Sequence, residues 1–268
     1  MKIEVDGVVV SYECAGSGYP IILLHGWGAR KETFNKLFLH LAENFKVYVI
    51  DLPGFGETEI GLPMSMDSVV DLIYHFNLKL LIDNPILLGH SYGGRLAIIY
   101  ASKYEVKKLI LVASAGLKQK LNFKKKLKVK LYKALKKCGL RIKMGSRDYI
   151  DSDNVKRHML VEAVNTDLTE NLKKISAETL LIYGTNDKVT PTKLGRRIKN
   201  NINNSILVEM EDCGHFLYLE RAMEFQLILD SFIITEAQWF YYYVYIQLLS
   251  FILFMIFTNK AIITLRIL

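Results

Sequence analysis

Six short apolar runs, spaced by helix-length stretches, constrain this chain more than any other feature. They are PIILL at Pro20–Leu24, KVYVI at Lys46–Ile50, PILL at Pro85–Leu88, KLILV at Lys108–Val112, TLLIY at Thr179–Tyr183 and SILVEM at Ser205–Met210. Runs this short and this rich in Ile, Leu and Val suit parallel strands covered on both faces. Helix-like stretches at Thr33–Asn44, Ser65–Leu80 and Gly93–Lys103 lie between them, and Arg221–Ile234 follows the last. Alternation of this kind predicts an α/β domain with a doubly wound, mostly parallel sheet. The opening Lys2–Tyr12, with Asp6-Gly7 at its turn, predicts an antiparallel hairpin at the sheet's edge. A chain of 268 residues can bury such a core without disulfide or metal staples.

The rhythm breaks between Val112 and Thr179, where about 65 residues of mostly helical character predict an insertion over one end of the sheet. Charge marks the same place. The 42 residues between Glu105 and Asp148 carry 15 Lys or Arg and no acid, while the remaining chain holds 20 basic and 27 acidic side chains. Charge concentrated in this way points to a local surface and not to general nucleic-acid binding. Within Lys118–Lys143, Leu127, Leu131, Leu135, Cys138 and Ile142 recur at helical spacing among lysines, which predicts an amphipathic helix with a cationic face. That face is either merely solvated or docks on anionic lipid.

A second skew lies at the end, where Trp239–Phe257 is nineteen residues without a charge and holds nine of the 30 aromatic residues. A helix of that length spans about 28 Å, close to a bilayer's hydrocarbon thickness. The expected organisation is therefore 1–115 and 179–234 as two parts of one core, 116–178 as a helical insertion, and 235–268 as a hydrophobic tail. The start, MKIEVDGVVVSYE, places acids where a secretion signal needs an apolar run. Cys14, Cys138 and Cys213 lack close metal-ligand spacing and cannot all pair. A cytoplasmic chain, held at a membrane if the tail anchors it, is expected, with no metal and no cofactor.

Chemistry enters at Gly89-His90-Ser91-Tyr92-Gly93. G-x-S-x-G between a strand and a helix is the setting of a sharp turn that exposes a nucleophilic serine. A serine hydroxyl needs a base to take its proton and a third group to orient that base. Downstream, Asp187 follows the TLLIY run in Gly184-Thr185-Asn186-Asp187, and His215 follows SILVEM in Cys213-Gly214-His215-Phe216. Both sit where open α/β sheets gather ligands. Asp148 and Asp212 are rival acids, but neither directly follows a strong strand at the right point in the order. His40, His75 and His158 read as ordinary surface or core histidines. An oxyanion needs two donors; the backbone N–H groups of Tyr92 and of Trp27, in Leu24-His25-Gly26-Trp27-Gly28, are the candidates. His25 is expected to fix its loop, and Asp51-Leu52-Pro53-Gly54-Phe55-Gly56 to be a structural turn.

HGWG, DLPGFG, GHSYGG, GTNDKVTP and GHF, in this order over roughly residues 2–234, resemble the α/β-hydrolase superfamily in its serine-nucleophile branch. The resemblance implies a helical cap at the inserted segment, shaping the acyl and alcohol pockets. It also implies an esterase, a lipase or a meta-cleavage-product C–C hydrolase. That last group commonly has Asn before its serine, Met after it and Trp after its histidine, where this chain has His90, Tyr92 and Phe216. The expected function is cleavage of an ester or related acyl bond through an acyl-enzyme. C–C hydrolysis and a catalytically idle binding fold are the alternatives. The expected partners are a small acyl substrate and an anionic membrane surface, with no nucleic acid.

Overall fold

A computed structural model describes residues 1–118, 148–149 and 152–234. The strands are β1 (Lys2–Val5), β2 (Val8–Ala15), β3 (Pro20–Leu24), β4 (Lys46–Ile50), β5 (Ile86–His90), β6 (Lys108–Val112), β7 (Glu178–Gly184) and β8 (Ser205–Met210). Among the described residues they form one eight-stranded sheet in the order β1-β2-β4-β3-β5-β6-β7-β8. β1 and β2 form the expected antiparallel hairpin, and β2 meets β4 antiparallel. Every pairing from β4 to β8 is parallel. Asp6 and Gly7 both take positive φ, at 50° and 77°, the backbone twist a two-residue hairpin turn needs.

The central strands show why their sequences carry no alternation. Ile21 to Leu24 and Leu87 to Leu88 are fully or almost fully buried, because helices cover both faces of the sheet. The covering helices include α1 (Asn35–Ala42), α2 (Met66–Lys79) and α3 (Tyr92–Lys103). α2 begins at Ser65, whose hydroxyl accepts the Ser68 N–H at 3.1 Å, and it buries Val69, Val70, Ile73 and Phe76. Between β6 and β7 lie α4 (Asn154–Asn165), capped by Asp153, and the single turn α5 (Thr169–Leu172). α6 (Thr192–Lys199) joins β7 to β8, and α7 (Leu217–Glu220) follows β8.

Strand order places the functional loops. The chain runs from β3 outward to β4, then returns past β3 to β5, so winding reverses between β3 and β5. Ligands of open α/β sheets bind outside the carboxyl ends of strands at such a switch point. The loops after β3 and β5 are HGWG and GHSYGG.

The chain divides into two compact units, Met1–Met223 and Glu224–Leu268. The first carries the sheet; the described part of the second continues α8 (Ala222–Ile233). The cationic helix expected within 118–143 and the tail at 239–257 lie outside the described residues. Among the described residues, no helix is long and apolar enough to cross a membrane.

Candidate active site

The serine side is built from backbone. β5 ends at His90, and Ser91 turns the chain into α3 at φ 51° and ψ −105°. A non-glycine residue in such a conformation costs on the order of 1–3 kcal/mol and persists only where its surroundings hold it. Here the Ser91 N–H donates to the Val112 carbonyl at 3.0 Å, and the Ser91 carbonyl accepts from Ala115 at 3.2 Å. The flanking glycines are required by approach: a Cβ on Gly93 would run into the Leu24 carbonyl, and one on Gly89 into the Gly93 carbonyl. The glycines of G-x-S-x-G thus let α3 lie this close to β3 and to the end of β5. Ser91 lines a cavity of about 420 Å³, whose described walls include Trp27, Tyr92, Leu117, Leu160 and Leu194.

The acid and base side is built from side chains. Asp187, in the loop after β7, is 4% exposed. Its Oδ1 accepts the N–H groups of Val189 at 2.7 Å and Thr190 at 3.0 Å. Its Oδ2 lies 2.6 Å from the Thr190 hydroxyl and 2.7 Å from Nδ1 of His215, in the loop after β8. Burial alone would raise the Asp187 pKa, but the hydrogen bonds from His215 and Thr190 outweigh it and hold the carboxyl below its ordinary range. An ionised carboxylate accepts only, so it draws the imidazole proton to Nδ1 and leaves Nε2 with a lone pair. Asp212 lies instead in a turn at φ 50°, donating its N–H to Thr185, and Asp148 lines the serine's cavity.

Two residues that sequence reasoning left without a role complete this side. Thr190 ties Asp187 to the β6 end, its hydroxyl also lying 2.9 Å from the Ala113 carbonyl. A threonine three residues past an aspartate in a post-strand loop is a turn signal that could have found it. His90 is 1% exposed, and its Nε2 lies 2.9 Å from the carbonyl of His215. A carbonyl only accepts, so the His90 proton sits on Nε2, and among the described residues the buried Nδ1 has no hydrogen-bond partner. Burial pushes its pKa down to about 3, so the ring is neutral. His90 thereby ties the residue next to Ser91 to the backbone of His215. Among the described residues, the Ser91 hydroxyl and the His215 ring are not hydrogen-bonded to each other. Such contacts are often long without substrate.

The third side is the loop after β3. Tyr92 is the first residue of α3, so its N–H has no acceptor within the helix. The Trp27 ring stands edge-on to those of Tyr92 and Phe55, with centroids 5.1 and 4.9 Å away, which fixes its loop against the serine turn. His25 does fix the loop: its Nε2 accepts the Leu52 N–H at 3.0 Å, and its Nδ1 lies 2.8 Å from the Gly26 carbonyl. Burial pushes His25 down to about 4. Asp51 holds the following turn, accepting from Lys31 Nζ at 2.9 Å and the Glu57 N–H at 3.0 Å. Among the described residues, no group of three His, Cys, Asp or Glu is placed to hold a metal ion.

Trp27, Ser91, Tyr92, Asp187 and His215 thus come from four loops at the carboxyl ends of β3, β5, β7 and β8. Several known proteins are similar to this chain along most of its length. One is 2-hydroxy-6-oxo-6-(2'-aminophenyl)hexa-2,4-dienoic acid hydrolase of Metapseudomonas resinovorans, 26% identical over 263 residues, covering 88% of this chain and 91% of that one. Another is pimeloyl-(acyl-carrier protein) methyl ester esterase of Wigglesworthia glossinidia brevipalpis, 28% identical over 254 residues, covering 81% and 95%. An esterase structure from Exiguobacterium antarcticum has the same fold, with a TM-score of 0.73 at 24% identity over 87% of this chain and 99% of that one. The model of the alpha/beta hydrolase family matches residues 21–225, and the chain belongs to that family.

Proposed function

We propose that the chain is a serine hydrolase that cleaves an ester or related acyl bond of a small or lipid-like substrate. Ser91 is the nucleophile, His215 the general base and Asp187 the residue that orients it. The observation that carries this reading is the pairing of a strained, glycine-flanked Ser91 with a buried Asp187–His215 hydrogen bond at the same end of the sheet. In the reaction, the Ser91 hydroxyl attacks the substrate carbonyl while Nε2 of His215 takes its proton. The N–H groups of Tyr92 and Trp27 receive the oxyanion. His215 then passes its proton to the leaving alcohol, and a water activated by the same nitrogen hydrolyses the acyl-enzyme. Residues 116–178 act as the cap, consistent with Leu160, Ala163 and Val164 of α4 lining the cavity.

A dienoic acid hydrolase among the relatives supports a second reading, cleavage of a C–C bond by the same residues. Short-chain p-nitrophenyl esters and a 2-hydroxy-6-oxo-dienoate separate the two. Turnover of the esters, lost by about 10⁶-fold in Ser91→Ala, is expected. Turnover of the dienoate alone would make the second reading correct, and turnover of neither would favour an idle fold. The membrane belongs to the same proposal, supported by the uncharged run 239–257. Full-length protein should sediment with membranes and be released by detergent but not by salt.

A further inference from the structure

Arg95 lines the cavity, and among the described residues no carboxylate is hydrogen-bonded to its guanidinium. It lies four residues after Ser91, so one helical turn puts both on the same side of α3. Its side chain is buried, with 7% exposure for the residue, yet it lines the same cavity as Ser91. A guanidinium carries five N–H donors and stays protonated. Among the described residues, its one side-chain hydrogen bond runs from Nη1 to the Thr166 carbonyl at 3.1 Å. That bond uses the carbonyl just past the end of α4 and leaves most of the fork unused. Asp167, the acid whose charge reaches Arg95, is committed elsewhere. Its oxygens accept the N–H groups of Lys118 at 2.8 Å and Thr169 at 3.1 Å, and also the Thr169 hydroxyl.

The surroundings repeat the pattern. Tyr92 lines the cavity too, and among the described residues its buried hydroxyl has no hydrogen-bond partner. Tyr92 and Arg95 lie near enough to act on each other's charge. Lys118 is a second cation on the cavity, exposed at its edge, where Asp148 is the acid. Most other walls, among them Leu117, Leu160, Val189 and Leu194, are apolar. Asn165 is the polar one, its Nδ2 donating to the Val161 carbonyl at 2.6 Å. Glu162, whose charge reaches Tyr92, accepts the Met66 N–H at 3.1 Å. A buried cation with most of its donors unused and a buried hydroxyl are costly, and both are matched if an anion enters.

We propose that Arg95, with the Tyr92 hydroxyl beside it, receives a carboxylate at the far end of the acyl chain whose carbonyl is presented to Ser91. The preferred substrates are then half-esters of dicarboxylic acids, a class that an apolar cavity alone would reject. This rests on Ser91 being the nucleophile.

The test compares p-nitrophenyl hemiadipate with p-nitrophenyl hexanoate, six-carbon acyl groups that differ in a terminal carboxylate against a methyl. The full chain should favour the hemiadipate in kcat/KM by about 10- to 100-fold, the range for a charge-assisted hydrogen-bonded pair. Arg95→Met should bring that ratio to about one, and Arg95→Lys should keep part of it. An unchanged ratio in Arg95→Met, or no preference in the parent, overturns the proposal, because a strut to Thr166 would affect both esters alike. A second readout needs no turnover: calorimetric binding of adipate and hexanoate to Ser91→Ala, with and without Arg95→Met. Tighter adipate binding that depends on Arg95 supports the anion site; equal binding of the two acids overturns it. Neither ester being turned over while adipate binding still depends on Arg95 would break the hydrolytic reading and leave the anion site standing.

Discussion

The serine side and the acid–base side of the site are held by different forces. Ser91 is fixed by backbone hydrogen bonds and by glycines that let carbonyls approach. Asp187 and His215 are fixed by side chains, through Thr190, two loop amides and His90. A backbone-held position resists change because any added atom meets a carbonyl. A side-chain-held position can lose one bond and keep the fold. The two sides should therefore fail differently, one in stability and the other in rate.

The largest effect belongs to the side-chain arm. Asp187→Asn can still accept from the Val189 and Thr190 amides, so its melting temperature should stay within a few degrees of the parent. Its amide would face Nδ1 as a donor, reverse the imidazole tautomer and leave Nε2 without a lone pair. A fall in kcat of about 10⁴-fold is expected, as for other triads; an unchanged rate would move the acid's role to another carboxylate.

Gly93→Ala tests the backbone arm. Pressing a methyl into the Leu24 carbonyl should cost about 3 kcal/mol or more of stability, visible in urea unfolding. A variant as stable as the parent would mean the turn can relax, which the comparison denies. Thr190→Val is gentler. It removes a hydroxyl from Asp187 and from the Ala113 carbonyl, and should lower kcat/KM by roughly 30-fold, or about 2 kcal/mol, with the same protein half-denatured at nearly the same urea.

The smallest effect is a slope. His90 titrates near 6.5 when unfolded and at about 3 when folded, so its contribution to stability is complete above pH 6.5 and is lost as pH falls toward 3. In that window the unfolded chain holds one more proton, worth up to about 1.4 kcal/mol per pH unit. His25 acts likewise down to about 4. His90→Gln should flatten the fall in urea midpoint between pH 6.5 and 5 by about one proton's worth, and an unaltered slope would show that His90 is not buried as a neutral ring.

The same contrast explains what the sequence made legible. Parallel strands buried on both faces must be continuous apolar runs, so β3 to β8 could be read almost to the residue. The serine turn was legible because its backbone admits only glycine at 89 and 93. Asp187 and His215 were legible from their place after β7 and β8. The supports were harder to read: a neutral histidine bonded to a carbonyl 125 positions away leaves no local pattern. Arg95 was equally hidden, since an arginine at a helical position ordinarily reads as solvated surface, and only packing reveals that it faces the cavity.

The central claim is that the backbone arm presents a nucleophile and the side-chain arm activates it. Labelling of the full chain with a fluorophosphonate, read by intact mass and peptide mapping, tests both at once. The account predicts a single adduct on Ser91, none in Ser91→Ala, and labelling slowed by two or more orders of magnitude in Asp187→Asn and His215→Ala. An adduct on another residue, or Asp187→Asn and His215→Ala labelled as fast as the parent, would contradict it.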